Sequence, residues 1–230
     1  LIFVLSLVYN LSFIKPHKIA ADAVSNFKNS ILISIETKNL NFSEKDQISS
    51  RAIMAPFINS LFIRSYFEKK KIDQCYKSLN LKDLGFTFEY RNYVISQECK
   101  DIHTALQYFF LILFYFLIFL TIWIAKLLKL NKKYYTLILV LLSFNTFFLS
   151  KVLSDSTEIV AAIFINISII SLYYYHKNYL FSFLLGISLV MLFLSKKIFI
   201  FSPILVIFLG IFYLLNKVNF KKVFLSTIIF

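Results

Sequence analysis

The sequence has few of the residues from which most soluble catalytic motifs are built. Among its 230 residues are three glycines, three histidines and two cysteines. It has no G-x-x-x-x-G-K-[ST] phosphate loop, no G-x-G-x-x-G, no H-E-x-x-H and no C-x-x-C motif. Nucleotide or zinc chemistry of the soluble type therefore lacks its usual residues here.

Charged residues are also scarce. They make up 16% of the chain against 59% hydrophobic residues, which is less charge than a soluble domain of this size usually carries. The net charge of +13 would suit nucleic acid, but residues 15–101 hold 14 basic and 10 acidic residues, and the rest holds 11 and 2. Most of the charged residues outside residues 15–101 lie between hydrophobic runs. This distribution is typical of membrane span ends, and no basic helix or Gly-rich RNA motif accompanies it, so we predict a lipid bilayer and no nucleic acid as partner.

The apolar runs predict an all-α polytopic membrane protein with about six or seven transmembrane helices. Leu106–Ala125 is twenty residues without a charge, long enough to cross a hydrocarbon core of about 30 Å. Within a bundle over 106–230, further spans are predicted at 134–150, 159–175, 179–195 and 198–215, with another starting in 223–230. Residues 1–14 read as a truncated first span, so we expect an amino-terminal fragment. A cleaved signal peptide is the alternative for this segment.

A large polar insert, residues 15–105, follows the first span and is predicted to be an extracytoplasmic loop. Its apolar spacings predict amphipathic interfacial helices over Ile19–Ile35 and Met54–Phe67. Lys69–Lys71 is expected to be a solvated turn or headgroup contact, Phe86–Ile95 shows β-like alternation, and His103 is expected at the interface.

Lysine counts predict which ends of the spans face outward. Alternate connectors carry eight lysines on one side of the bundle and three on the other. Because cytoplasmic connectors are usually the more basic, the eight-lysine side should be cytoplasmic. This places residues 15–101, Lys151–Glu158 and Lys196-Lys197 together on the extracytoplasmic face.

Acids and cations that suit sugar transfer meet on that predicted face. Asp22 lies in the first amphipathic segment, Asp155 and Glu158 lie at the mouth of one span, and Lys196 and Lys197 lie at the mouth of another. A carboxylate can take the proton of an acceptor hydroxyl, while lysines hold the phosphate of the leaving group. Each residue taken alone fits equally well as an ordinary solvated loop charge.

Several segments resemble the C-type glycosyltransferase superfamily, as in protein O-mannosyltransferases and the bacterial transferases that add aminoarabinose to lipid A. The segments are Ala21–Phe27 with its early acid, Arg51–Ile58 with an Arg before a Pro, the acidic turn Leu153–Ser156, and Leu184–Ile187 before a basic pair. The resemblance implies that Asp22 matches the essential acid of the first external loop. It also implies that Asp155 matches a second acid used by some members.

We therefore expect a glycosyltransferase of the bacterial inner membrane that moves a sugar from a polyprenyl-phosphate donor to an acceptor hydroxyl on the extracytoplasmic face. Asp22 and Asp155 are the expected catalytic residues, and Arg51, Glu158, Lys196 and Lys197 are expected to bind substrate. The sequence requires no cofactor and leaves the use of a divalent metal open. The alternatives are an O-antigen-type polymerase or ligase, a transporter and a non-enzymatic polytopic protein.

The two cysteines, Cys75 and Cys99, both lie in the predicted external loop. An oxidising compartment and an even count predict a disulfide between them, and two free thiols are the alternative.

Overall fold

The computed structural model of the chain describes residues 2–14, 18–19, 21–35, 53–79, 93–145, 149, 153, 157–175 and 177–195. Within these residues the fold is α-helical, as predicted, with one very short antiparallel sheet. The elements in chain order are α1 (Ile2–Leu11), β1 (Lys18–Ile19), α2 (Ala21–Ile35), α3 (Met54–Tyr66), α4 (Lys69–Ser78), β2 (Tyr93–Val94), a 3-10 helix (Gln97–Cys99), α5 (Lys100–Leu127), α6 (Lys132–Ser143), α7 (Thr157–Tyr174) and α8 (Tyr179–Ser195).

Two of the described helices are long and apolar enough to cross a bilayer. One runs through the 3-10 turn and α5 over Gln97–Leu127, 31 residues with a mean hydropathy of 2.5, and the other is α7, with 18 residues. The 28 residues of α5 alone rise about 42 Å, which exceeds a hydrocarbon core of about 30 Å. The polar first turns of α5 can therefore project beyond a membrane that its apolar part crosses.

Two shorter helices, α6 and α8, agree with the predicted spans to different degrees. Helix α8 has the predicted bounds Tyr179–Ser195 and packs along α7. Helix α6 ends at Ser143, well before the predicted end of that span at residue 150, and its 12 residues rise only about 18 Å. Ser143 and Asn145 explain the early end, because short polar side chains favour turns over helix interiors. The predicted spans at 198–215 and 223–230 lie outside the described residues.

Helix α1 places its polar residues inside and its apolar residues outside. Ser6 and Asn10 are buried, whereas Phe3, Leu5 and Val8 are exposed. The buried pair meets the hydroxyl of Tyr115 on α5, at 2.9 Å from Ser6 Oγ and 2.9 Å from Asn10 Nδ2. This arrangement is the reverse of a helix on the surface of a water-soluble protein, and it suits apolar surroundings in which polar groups must find partners within the protein.

The helices α5, α7 and α8 are joined in the same way. Asn166 on α7 donates to Thr121 on α5 at 3.3 Å, and the hydroxyls of Ser168 and Ser188 link α7 to α8 at 2.8 Å. Outward faces of these helices expose large apolar side chains, among them Tyr108, Ile112, Phe116 and Phe119 of α5, Ile165 and Ile169 of α7, and Leu180 and Phe183 of α8.

The described helices of the polar insert pack together and against the amino-terminal part of α5. Helix α2 packs against α3 and α4, and α4 packs against the 3-10 turn. Strand β1 pairs with β2, Lys18 opposite Val94 and Ile19 opposite Tyr93, which ties the start of the insert to its end.

Three expectations for the insert need correction. Helix α2 is buried along most of its described length, so it is not an amphipathic helix lying in the interface. Lys69–Lys71 begins α4 and is no turn. His103 is 3% exposed and packs inside the fold, because α2 covers it. Helix α3, in contrast, forms almost as predicted and exposes Phe57, Leu61 and Tyr66.

Cys75 and Cys99 form a disulfide, as the sequence predicted, with their Cα atoms 4.7 Å apart. Both residues are fully buried. The bond joins α4 to the turn that leads into α5, so it fixes α4 to the beginning of α5.

Candidate functional site

The insert and the bundle meet at a buried hydrogen bond between α2 and α7. Asn26 Nδ2 donates to Thr157 Oγ1 at 2.8 Å, across 131 residues of sequence, and both side chains are about 8% exposed. Asn26 lies in the second turn of α2 and Thr157 is the first residue of α7. The contact therefore joins the beginning of one helix to the beginning of the other.

The polar face of α2 is satisfied by short hydrogen bonds, which explains how it can be buried. Ser30 Oγ donates to the carbonyl of Asn26 at 2.6 Å, and Ser34 Oγ donates to the carbonyl of Ser30 at 2.6 Å. Asn59 Nδ2 on α3 reaches Ser30 Oγ at 3.3 Å. A buried polar group costs little when it has such partners, so this face packs inside instead of facing water.

Arg64 of α3 closes the other end of α2. Its Nε donates to the carbonyl of Ser34 at 3.0 Å, and its Nη2 donates to the carbonyl of Ile33. The last carbonyls of a helix have no partner within the helix, and a cation at that end is favourable. Arg64 therefore fixes the direction in which α2 crosses α3.

Two ionisable side chains lie close to the junction of α2 with α7, which is the Asn26–Thr157 contact. Lys28 of α2 and His103 of α5 are each 3% exposed. The ring of Phe27 meets the ring of His103 edge-on, with centroids 5.6 Å apart. Gln107, one turn further along α5, is buried as well. The Phe27–His103 contact therefore joins α2 to α5, and a buried polar residue lies near it on each helix, Lys28 on α2 and Gln107 on α5.

The predicted catalytic residues relate to this junction through their places in the chain. Asp22 lies in the first turn of α2, four residues before Asn26, and its side chain is outside the described part. Asp155, two residues before Thr157, lies outside the described residues, as do Arg51, Lys196 and Lys197. Glu158 is among the described residues, and its side chain is exposed in the first turn of α7.

A polar groove lies between α4 and the start of α5. Its volume is about 430 Å³, and its lining consists of Glu68, Lys70, Lys71, Gln74, Gln97, Glu98 and Asp101. Lys71 of α4 pairs with Asp101 of α5, and its Nζ lies 5.5 Å from the centroid of the Phe67 ring. Asp101 stands in the polar first turn of α5, ahead of the charge-free stretch. The hydrogen bond from Lys71, followed by the charge of that ammonium, lowers the pKa of this carboxyl below its ordinary value.

Sequence reasoning missed the Asn26–Thr157 contact and the groove. A faint signal for the contact was present, since Asn26 follows Asp22 by one helical turn and Thr157 closely follows Asp155. The groove gave no signal, because its two sides are about 30 residues apart in sequence. Among the described residues, no three His, Cys, Asp or Glu side chains are grouped so as to hold a metal ion.

Comparisons of the chain with protein-family models, with curated proteins and with solved structures find no match.

Proposed function

We propose that this chain is a membrane glycosyltransferase that moves a sugar from a polyprenyl-phosphate donor to an acceptor hydroxyl. The observation that carries the proposal is the buried Asn26–Thr157 hydrogen bond. It links the helix that contains position 22 to the helix that starts two residues after position 155, so the described residues that contact each other are close in sequence to both proposed acids.

The proposed reaction needs a base on one side of the sugar and a phosphate holder on the other. The Asp22 carboxylate takes the proton of the acceptor hydroxyl as that oxygen bonds to the anomeric carbon. The bond between that carbon and the phosphate oxygen breaks, and the phosphate leaves with the electron pair. Lys196 and Lys197 neutralise the charge that develops on it, while Asp155 assists the base. Arg51 and Glu158 orient the substrates.

The proposed setting is the bacterial inner membrane, with six or seven spans and with residues 15–105 on the extracytoplasmic face. Support comes from the two long apolar helices and from the buried polar and exposed apolar faces of α1 and α8. Further support comes from the contacts of α5 and α7 with α2. Both helices contact α2 near their first residues, through His103 and Thr157, so they begin at the same end of the bundle. The chain must therefore cross back between the end of α5 and the beginning of α7, as the proposed spans require.

The test is transfer by Asp22→Asn, which removes the charge and keeps the shape. Membranes that hold the variant receive a radiolabelled polyprenyl-phosphate sugar, and label in glycoprotein, glycolipid and glycan fractions is counted. We expect transfer to fall about 10²–10⁴-fold, the usual contribution of a general base. The matched control is Asp73→Asn, the same change on α4 outside the junction and the groove, which should transfer at the parent rate.

Transfer by Asp22→Asn at a near-parent rate would end this assignment. Loss of transfer in the Asp73→Asn control as well would mean that such a substitution acts through folding and would also contradict the assignment. The melting temperatures of both variants should therefore equal that of the parent.

A further inference from the structure

The groove between α4 and α5 is lined by polar side chains alone. Two are carboxamides, Gln74 and Gln97, and the others are carboxylates and ammonium groups. Its volume of about 430 Å³ falls in the range of small-molecule sites, whose linings are otherwise mostly apolar. A lining of this kind matches a ligand that forms hydrogen bonds over much of its surface and offers little to a lipid chain.

The charges of the lining argue against an anion. Three carboxylates, on Glu68, Glu98 and Asp101, face two ammonium groups, and one of these, on Lys71, is already paired with Asp101. A phosphate would therefore meet more negative than positive charge, whereas phosphate sites normally concentrate cations.

A neutral polyhydroxylated ligand fits this balance. Each sugar hydroxyl donates one hydrogen bond and accepts others, a carboxylate only accepts, an ammonium only donates and a carboxamide does both. The groove offers all three kinds of group on facing sides, since Lys70 and Gln74 lie one turn apart on α4 and Gln97 and Glu98 lie on the opposite side.

The sides of the groove are held in place before any ligand arrives. The disulfide joins residues from the two sides, and the Lys71–Asp101 pair links α4 to α5. Lys71 is further positioned against the Phe67 ring. A site whose two sides are already fixed to each other loses less entropy on binding. Helix α4 also packs against α2, which contains position 22.

We propose that this groove binds a neutral glycan, the acceptor of the sugar. Its role as acceptor rests on the proposed function, whereas the binding of a glycan does not. Gln74, Gln97 and Glu98 contact the hydroxyl groups of the glycan.

The experiment measures direct binding, independent of transfer. The full chain in lipid nanodiscs is applied to an array of neutral oligosaccharides together with phosphorylated and carboxylated forms of the same glycans, and hits are titrated. We expect neutral glycans to bind, and Gln74→Leu/Gln97→Leu to weaken them at least about tenfold, because two hydrogen-bonding groups are lost. The matched control is Lys77→Leu, an exposed polar residue of α4 outside the groove, which should bind like the parent.

A second variant guards against misfolding. Glu98→Gln keeps the shape of an exposed side chain, so it should retain the disulfide and the melting temperature and still bind about tenfold more weakly. The proposal is overturned if no neutral glycan binds, if Gln74→Leu/Gln97→Leu binds like the parent, or if only phosphorylated glycans bind and inorganic phosphate displaces them. A chain that binds glycans through the groove but fails to transfer sugar would overturn the proposed function and leave this site standing.

Discussion

Asn26 illustrates how the meaning of a residue depends on a partner far away in the chain. In the sequence it is a polar residue between apolar ones, which favours a solvent-facing position on an amphipathic helix. In the structure it is buried because Thr157 accepts its hydrogen bond. Burying an amide without a hydrogen-bond partner costs several times the free energy of burying a bonded one. The bond to Thr157 therefore allows the side of α2 that holds Asn26 to be buried.

The first prediction at this scale concerns the coupling of that pair. Asn26→Ala and Thr157→Val should each lower the melting temperature of the chain in detergent. Together they should lower it by less than the sum, with a coupling energy of about 1 kcal/mol, because the second change removes no further hydrogen bond. Thr121→Val, which removes a different contact on α5, is the control and should be additive with Asn26→Ala. Additivity of Asn26→Ala with Thr157→Val would mean that the bond does not join the two helices.

At the scale of elements, α4 shows how a covalent bond and two polar pairs place a helix of which half the residues are charged. Its sequence begins with three lysines, and only Ile72 and Cys75 are buried along it. So small an apolar face contributes little to docking. The Cys75–Cys99 bond, the Lys71–Asp101 pair and the 2.7 Å contact between Ser78 Oγ and Ser96 Oγ hold the helix against the start of α5.

The prediction for this element is that loss of the disulfide frees α4. Cys75→Ser/Cys99→Ser should lose about 3 kcal/mol of stability, since the bond closes a loop with a separation of 24 residues. Limited proteolysis should then cut within residues 69–99 far faster than in the parent. Dithiothreitol should reproduce the effect in the parent and change nothing further in the double variant. Two reactive thiols in unreduced, denatured parent protein would contradict the bond.

Helices α2 and α3 show that amphipathic spacing predicts a helix better than it predicts its orientation. Both formed near their expected bounds. In α3 the aromatic face points outward and Asn59 and Ser60 point inward, while α2 is covered almost throughout. The hydrophobic pattern defines a face, but the surroundings decide whether water, lipid or protein lies against it.

For the whole molecule, the distribution of polar and apolar faces is the main guide to its surroundings. The interior joins helices through Ser, Thr, Asn and Tyr side chains, and the outer faces of α1, α5 and α8 are rich in Leu, Ile and Phe. In water such an apolar surface would favour aggregation, whereas in a bilayer it is surrounded by lipid chains.

The last prediction tests the proposed topology through single new cysteines. The parent has no free thiol, so Lys129→Cys, Lys177→Cys and Lys197→Cys each supply one reactive site. In intact cells, a membrane-impermeant maleimide should label position 197. Positions 129 and 177 should label only after permeabilisation, because the more basic connectors face the cytoplasm. Labelling of position 197 from the cytoplasm alone would contradict both the topology and the phosphate-holding role of Lys196 and Lys197.

The sequence by itself determined the helical class, the bounds of α8 and nearly those of α7, and the one disulfide that its two cysteines could form. These follow from local quantities, since an apolar run of given length between charges makes a helix of that length, and two cysteines allow one pairing. The tertiary structure alone decided the burial of α2, the position of His103, the groove between α4 and α5, and whether the two cysteines are bonded. Each of these depends on groups distant in sequence, as Asn26 and Thr157 are, and the energy of a buried polar group depends on whether its partner arrives.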